Sequence, residues 1–169
     1  MTVFTRQNVE DLLATLTGQQ LILSQMDWHG VDFSGLDMSN MLCFRTNFEQ
    51  ANFSGAVLVG VQMEAANLAG ANLERANLEK AYLFRAVFRG ANLTGCNLTE
   101  AYLGSVDFRG ASLVGANLTN ADLHHADLRD ANLSEAVLTN AHLFGAKFNE
   151  GTRWPVANFR PELAGASRL

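Results

Sequence analysis

The sequence predicts a repeat solenoid, a chain wound into a coil that turns one corner for every five residues. Three observations point to it. From Ala66 to Lys80 the chain reads "ANLAGANLERANLEK", with Ala-Asn-Leu written three times in fifteen residues. Apolar centres keep the same five-residue register through Phe33, Met38, Cys43, Phe48, Phe53, Leu58, Met63 and Leu68 and on to Phe148, with no insertion. Two residues before each centre stands a small or apolar residue, most often Ala, with Met41, Thr46 and Cys96 among the exceptions.

Neither regular element accommodates a period of five. On an α-helix, residues five apart are rotated by roughly 140°, so the leucines would circle the cylinder instead of forming a stripe. On a flat strand, where side chains alternate, an odd spacing sends successive leucines to opposite faces. Within one pentad the Ala and the Leu lie two residues apart and share a face, provided the backbone bends before the next pentad. Residues 26–150 hold 25 such pentads.

This tandem pattern, Ala-Asn/Asp-Leu-x-x, resembles the pentapeptide-repeat proteins over about three-quarters of the chain. The resemblance implies an all-β fold: a right-handed, four-sided parallel β-helix with the central Leu or Phe and the preceding small residue both inside. Four sides require a second period of twenty, and the residues carry one independently. Phe48, Phe88, Phe108 and Phe148 fall on one side with Trp28 continuing the column, while Arg89, Arg109 and Arg129 are twenty apart, as are Tyr82 and Tyr102. At four pentads per coil the region makes roughly six coils, a rod about 30 Å long at about 4.8 Å per stacked strand.

A stack of coils exposes an apolar end and unpaired strand edges, so each end needs a cover. In the N-terminal segment, residues 1–25, the stretch Asn8 to Thr17 places Val9, Leu12, Leu13 and Leu16 on one helical face, with Asn8 as N-cap, acidic residues in the first turn and Gly18 after the end. A short capping helix is the expectation, and a partner-binding amphipathic helix is the alternative. In residues 151–169 the register stops, and Pro155 and Pro161 forbid a long regular element. Trp154, Phe159 and Leu163 either cover the last coil, leaving a monomer, or form a homodimer interface.

Charge and composition narrow the function. The net charge of −5 argues against a nucleic-acid ligand, which needs clustered Lys and Arg. Cys43 is a centre and Cys96 fills an Ala slot in a different column, so both are read as packing residues, without a disulfide, in a reducing compartment. The N-terminus has no basic segment followed by a long apolar run, and no stretch approaches a membrane span, which places the protein in the cytoplasm without a membrane partner.

Function is sought on the outward slots, because the inward ones explain folding. The Asn or Asp before each centre is assigned to structure, as a ladder or a turn ligand. One side departs from the bland pattern. It carries Leu42, Phe44 and Arg45, then Gln62 and Glu64, then Tyr82, Phe84 and Arg85, then Tyr102, then Asp122, His124 and His125, then His142 and Phe144. Contiguous exposed aromatics mark protein contacts, so Phe44, Tyr82, Phe84, Arg85, Tyr102, Asp122, His124, His142 and Phe144 form the candidate interaction face; ring stacking that merely stabilises the rod is the structural alternative. The histidines suggest a metal, but adjacent histidines in an extended segment point different ways, and no metal or other cofactor is expected. On the neighbouring side Arg89, Arg109 and Arg129 form a secondary basic ladder, either interleaved with Asp107 and Asp127 or open to an acidic partner.

A non-catalytic interaction rod with an unknown protein partner is the leading expectation. Some pentapeptide-repeat proteins act as DNA mimics that bind DNA gyrase or topoisomerase IV and protect it from quinolones, and the resemblance makes this the alternative. It fits less well, because the repeat region holds 14 Asp and Glu against 8 Lys and Arg and lacks the loop insertions of the quinolone-resistance members. Enzyme activity is not expected: no inserted loop builds a groove, and no nucleophile lies beside a base.

Overall fold

The computed structural model describes residues 5–15, 22–156 and 159–169, and in it each pentad is one side of a coil. The residue before each centre bridges, in parallel, the residue twenty further on, as in Asn52 to Asn72 to Asn92 and Tyr82 to Tyr102 to Asp122. A typical side donates three backbone hydrogen bonds to its neighbours, one of them from the corner amide, as from Glu100 to the Thr119 carbonyl at 3.0 Å. The Leu98 amide donates to the Asn117 carbonyl at 2.7 Å, and the Asn97 amide donates to the Ala76 carbonyl at 3.0 Å.

The corners come from one dihedral angle. From Gln25 to Gly145 every fifth-slot residue lies at positive φ, between 52° at Arg45 and 69° at Gly145. The following amide then donates back to the centre's carbonyl, as Ala101 does to Leu98 at 3.1 Å, which closes a turn of type II character. Glycine adopts this conformation at no steric cost, which is why it recurs in that slot.

The core is a bore filled by two inward residues per side. Every centre from Phe33 to Leu133 is fully buried. At its N-terminal end the rings of Phe33 and Phe53 stack at 4.7 Å, with Phe48 edge-on to both. Polar atoms in the Ala slots are satisfied by the coil below: the hydroxyl of Thr46 donates to the Leu23 carbonyl at 3.0 Å, and the Cys96 thiol donates to that of Leu73 at 2.8 Å. Burial pushes the thiols of both Cys43 and Cys96 up to about 12. Neither forms a disulfide.

Outside the bore, asparagines make the expected ladders. Asn72 Nδ2 donates to Asn52 Oδ1 at 3.2 Å, and Asn92 Nδ2 donates to Asn72 Oδ1 at the same distance. Each Oδ1 also accepts the amide two residues on, as from Glu74 to Asn72.

Helix α1 spans Arg6–Thr15, two residues before the range expected from the pattern. The reason is the cap. Thr5, not Asn8, stands at the N-cap: the Thr5 amide donates to Asn8 Oδ1 at 2.9 Å, and the Asn8 amide donates to Thr5 Oγ1 at 3.4 Å, a reciprocal capping box. Glu10 and Asp11 consequently fall outside the first turn. Val9 is buried in the core, with Leu12 and Leu13 packed against it. Arg6 pairs within the helix with Glu10 at 2.7 Å and ties the helix to the coil through Asp32 at 3.2 Å and the Ser34 carbonyl at 2.9 Å. Leu16, Thr17 and Gly18 lie outside the described residues.

The C-terminal segment returns to register. Arg153 bridges Asn132, one residue beyond the usual twenty, because the turn from Asn149 to Thr152 takes in an extra residue. Trp154 packs edge-on to Phe148 at 5.6 Å and stacks with Phe159 at 5.0 Å. A 3₁₀ turn, Pro161–Ala164, ends in Gly165 at φ 84°; the side chain of Leu163 lies outside what is described. Strand β2, Ser167–Arg168, then pairs in parallel with β1, Lys147–Phe148, at the original spacing.

Candidate functional site

The side of the coil with centres Leu23, Cys43, Met63, Leu83, Leu103, Leu123 and Leu143 carries the outward aromatic residues. Tyr82 and Tyr102 bridge each other one coil apart, so their rings stand close to one strand spacing from each other and stack, with centroids 4.6 Å apart and planes 9° from parallel. Both remain 47% exposed.

In the next column Phe84 and His124 are two coils apart and still stack, at 6.2 Å and 27°. Gly104 makes this contact possible. It lies between them, and a β-carbon there would collide with the His124 ring, which leans into the gap and buries the glycine. Unlike the corner glycines, Gly104 has no positive φ, so it is needed for space and not for backbone conformation. Sequence reasoning passed over it. The missing signal is a glycine in a column otherwise filled by Phe44, Glu64, Phe84, His124 and Phe144.

Asp122 fixes the His124 ring, with Nδ1 and Oδ1 2.8 Å apart, and accepts the His124 amide at 3.1 Å. Burial pushes the Asp122 carboxyl up, but these bonds, with the charge of His124 and His142 nearby, leave it below the ordinary carboxylate range. His125 is edge-on to His124 at 5.7 Å and to Phe144 at 6.1 Å. Phe144 itself is 71% exposed. Backbone bridging places His142 above Asp122. Among the described residues no group of three His, Cys, Asp or Glu gathers closely enough to hold a metal ion.

The structure does not join Phe44 to this run, because Glu64 occupies the position between Phe44 and Phe84. Phe44 instead lines an open groove of about 250 Å³ with Gln25, Arg45, Glu64, Ala65 and Arg85. The Arg85 guanidinium carbon lies 5.0 Å from the Phe84 ring centroid, within cation–π range.

On the neighbouring side the basic ladder interleaves with carboxylates. Asp107 takes Arg89 from the coil below and Arg109 from its own, the latter at 2.9 Å. Asp127 takes Arg129 at 2.6 Å and Arg109 at 3.7 Å. Burial acts to raise the Asp127 carboxyl, yet the hydrogen bonds and charge of Arg129 hold it low.

The family profile for pentapeptide repeats matches the chain in eight copies, across residues 46–83, 62–99, 81–120, 96–134 and 121–151. Among solved structures, the chain is similar to Rfr23, a pentapeptide-repeat protein from the cyanobacterium Cyanothece 51142, at 28% identity and a TM-score of 0.56, over 73% of this chain and 90% of that one. It is also similar to trypsin-treated forms of QnrB1, a plasmid-mediated fluoroquinolone resistance protein. One such form matches at 22% identity and a TM-score of 0.51, over 79% of this chain and 74% of that one. Another matches at 19% identity and 0.52, over 89% and 92%. No curated protein matches the chain. These neighbours imply a right-handed quadrilateral β-helix, in keeping with the parallel twenty-residue bridging. No helix among the described residues is long and apolar enough to cross a membrane.

Proposed function

The chain belongs to the pentapeptide-repeat family, and on that premise we propose that it is a non-catalytic rod that binds a protein partner through its aromatic and histidine-bearing side. The observation that carries the proposal is the stacked Tyr82–Tyr102 pair, two large rings left about half exposed on a rod whose core is already filled by its buried centres. Rings fixed on a rigid scaffold lose little freedom on binding, which favours their use as anchors. Phe84, Arg85, Asp122, His124, His142 and Phe144 extend this face, and Phe44 flanks it.

The rest of the chain supports the rod. Residues 1–25 form an N-terminal capping segment, residues 26–150 roughly six coils, and residues 151–169 a cap on the last coil, which leaves a monomer or joins two copies as a homodimer. Burial of Val9 under the coil and the packing of Trp154 on Phe148 support the two caps. The protein works in the cytoplasm, with two reduced buried thiols, no cofactor and, at a net charge of −5, no direct nucleic-acid binding.

The test is the triple variant Tyr82→Ser, Phe84→Ser, Tyr102→Ser. It should lose the partner that the parent captures while melting within a few degrees of it; a large fall in Tm with partner capture retained would assign the rings to stability. The DNA-mimic alternative shares the fold of QnrB1, but it needs a continuous anionic surface, and Asp107 and Asp127 are offset by Arg89, Arg109 and Arg129. A DNA gyrase supercoiling assay with and without a quinolone separates the two. Inhibition or protection at low micromolar protein would establish the mimic, and no effect would leave the interaction rod.

A further inference from the structure

Every arginine in the coil except two is spent on a carboxylate of its own chain. Arg75 meets Glu74, Arg89 meets Asp107, Arg109 meets Asp107 and Asp127, and Arg129 meets Asp127. Lys80 likewise lies between Glu79 and Glu100. Among the described residues Arg45 and Arg85 have no such partner. Both are exposed, and both stand at positive-φ corners of the aromatic side, at 52° and 58°. They lie two coils apart, about 9.6 Å at about 4.8 Å per coil. Between them the corner residue is Ala65, which leaves a gap where its neighbours carry long side chains.

This arrangement has the parts of a carboxylate clamp. Arg45 and Arg85 line one groove of about 250 Å³ together with the Ala65 corner and the apolar Phe44. Arg85 is already steadied by the Phe84 ring, which reduces the freedom it would lose on pairing. Glu64 also lines the groove, so its net charge is about one positive unit. That suits one or two carboxylates but is too little to neutralise a longer run of phosphates, which the chain's net charge of −5 also disfavours.

Resting on the reading of this side as the partner-binding face, we infer that the partner presents an acidic peptide segment. One of its carboxylates seats over Ala65 between Arg45 and Arg85, and a neighbouring apolar residue lies against Phe44. The basic ladder of Arg89, Arg109 and Arg129 is not the acidic dock, because Asp107 and Asp127 already occupy its guanidiniums.

The experiment selects a random peptide library displayed on phage against the full chain, then measures the selected peptides against variants. Selected peptides should be rich in Asp and Glu. They should bind Arg45→Gln/Arg85→Gln at least about tenfold more weakly than the parent, as loss of charge-assisted hydrogen bonds requires, and Glu64→Gln more tightly. Binding should also weaken as salt rises. Neutral or basic peptides that are lost in the Tyr82, Phe84 and Tyr102 triple variant but unaffected by the arginine pair would overturn the acidic partner and leave the aromatic face standing. Peptides indifferent to both sets would overturn both. Failure to enrich any peptide, or tighter capture of single-stranded DNA than of acidic peptides, would also overturn the inference.

Discussion

Replacing Leu98 by Asp puts a carboxyl group into the middle of the bore, where the account allows none. Leu98 is fully buried, its amide is committed to the Asn117 carbonyl, and Leu93 and Leu103 on either side of it in the chain are equally buried. Losing the buried leucine costs about 1.5–3 kcal/mol of apolar burial. Leaving a polar group without a partner adds about 1–3 kcal/mol, so Leu98→Asp should lose about 2.5–6 kcal/mol. At about 2–4 °C per kcal/mol for a chain of this size, the melting temperature followed by circular dichroism should fall by at least about 5 °C. The loss should also depend on pH. The introduced carboxyl is disfavoured in its charged form by burial, so its folded pKa lies above the unfolded one. The folded state then holds the proton more tightly, and the penalty shrinks as pH falls toward the unfolded value of about 4. Ala69→Asp, on an outward slot between Glu49 and Arg89, is the control and should change stability by less than about 0.5 kcal/mol. A Leu98→Asp protein that melts like the parent would refute the inward assignment of the centres.

Other predictions follow from the same geometry. Ala91→Leu overpacks a fully enclosed slot and should cost about 1–3 kcal/mol in a thermal melt. Asp32 is held below its ordinary range first by hydrogen bonds from Ser34, with Arg6 beside it, and Asp37 first by those from Ser39. Their contribution is therefore present above the unfolded carboxylate range and lost as pH falls through the lower folded values; Asp37→Asn should flatten the fall in Tm below about pH 4 relative to the parent. Gly104→Ala should drive the His124 ring out of its gap and off Phe84, at a cost of about 0.5–1.5 kcal/mol for the lost ring contact, read as a change in the His124 ring proton shifts.

The period of five was enough to place the bore, because it is a property of every pentad and survives the exceptions at Met41, Thr46 and Cys96. The corner was legible in part: glycines favour the fifth slot, but the arginines, asparagines and glutamates that share its positive φ give no such hint. Two misjudgements have local causes. Asn8 looks like an N-cap because its type suits that position, yet Thr5 takes the role and leaves Asn8 to reciprocate. The tail reads as irregular because Arg153 is displaced by a single extra residue and Pro155 and Pro161 interrupt the pattern, although Ser167 returns to its place over Lys147. On the aromatic side, the column of Tyr82 and Tyr102 could be counted from the sequence. The stacking of His124 on Phe84 could not, since it depends on the direction in which one ring leans and on the space above Gly104. The freedom of Arg45 and Arg85 was equally hidden, because Glu64 is their neighbour in the coil without being an ion-pair partner of either.

The most direct test of the interaction face is site-specific photocrosslinking in living cells. A benzophenone amino acid is placed at Tyr102 on the aromatic side or at Ser54 on the opposite side. The account predicts one discrete protein adduct from Tyr102, competed away by excess unlabelled parent but not by the Tyr82, Phe84 and Tyr102 triple variant, and no such adduct from Ser54. A discrete adduct from Ser54 alone, or equal adducts from both positions, would contradict it.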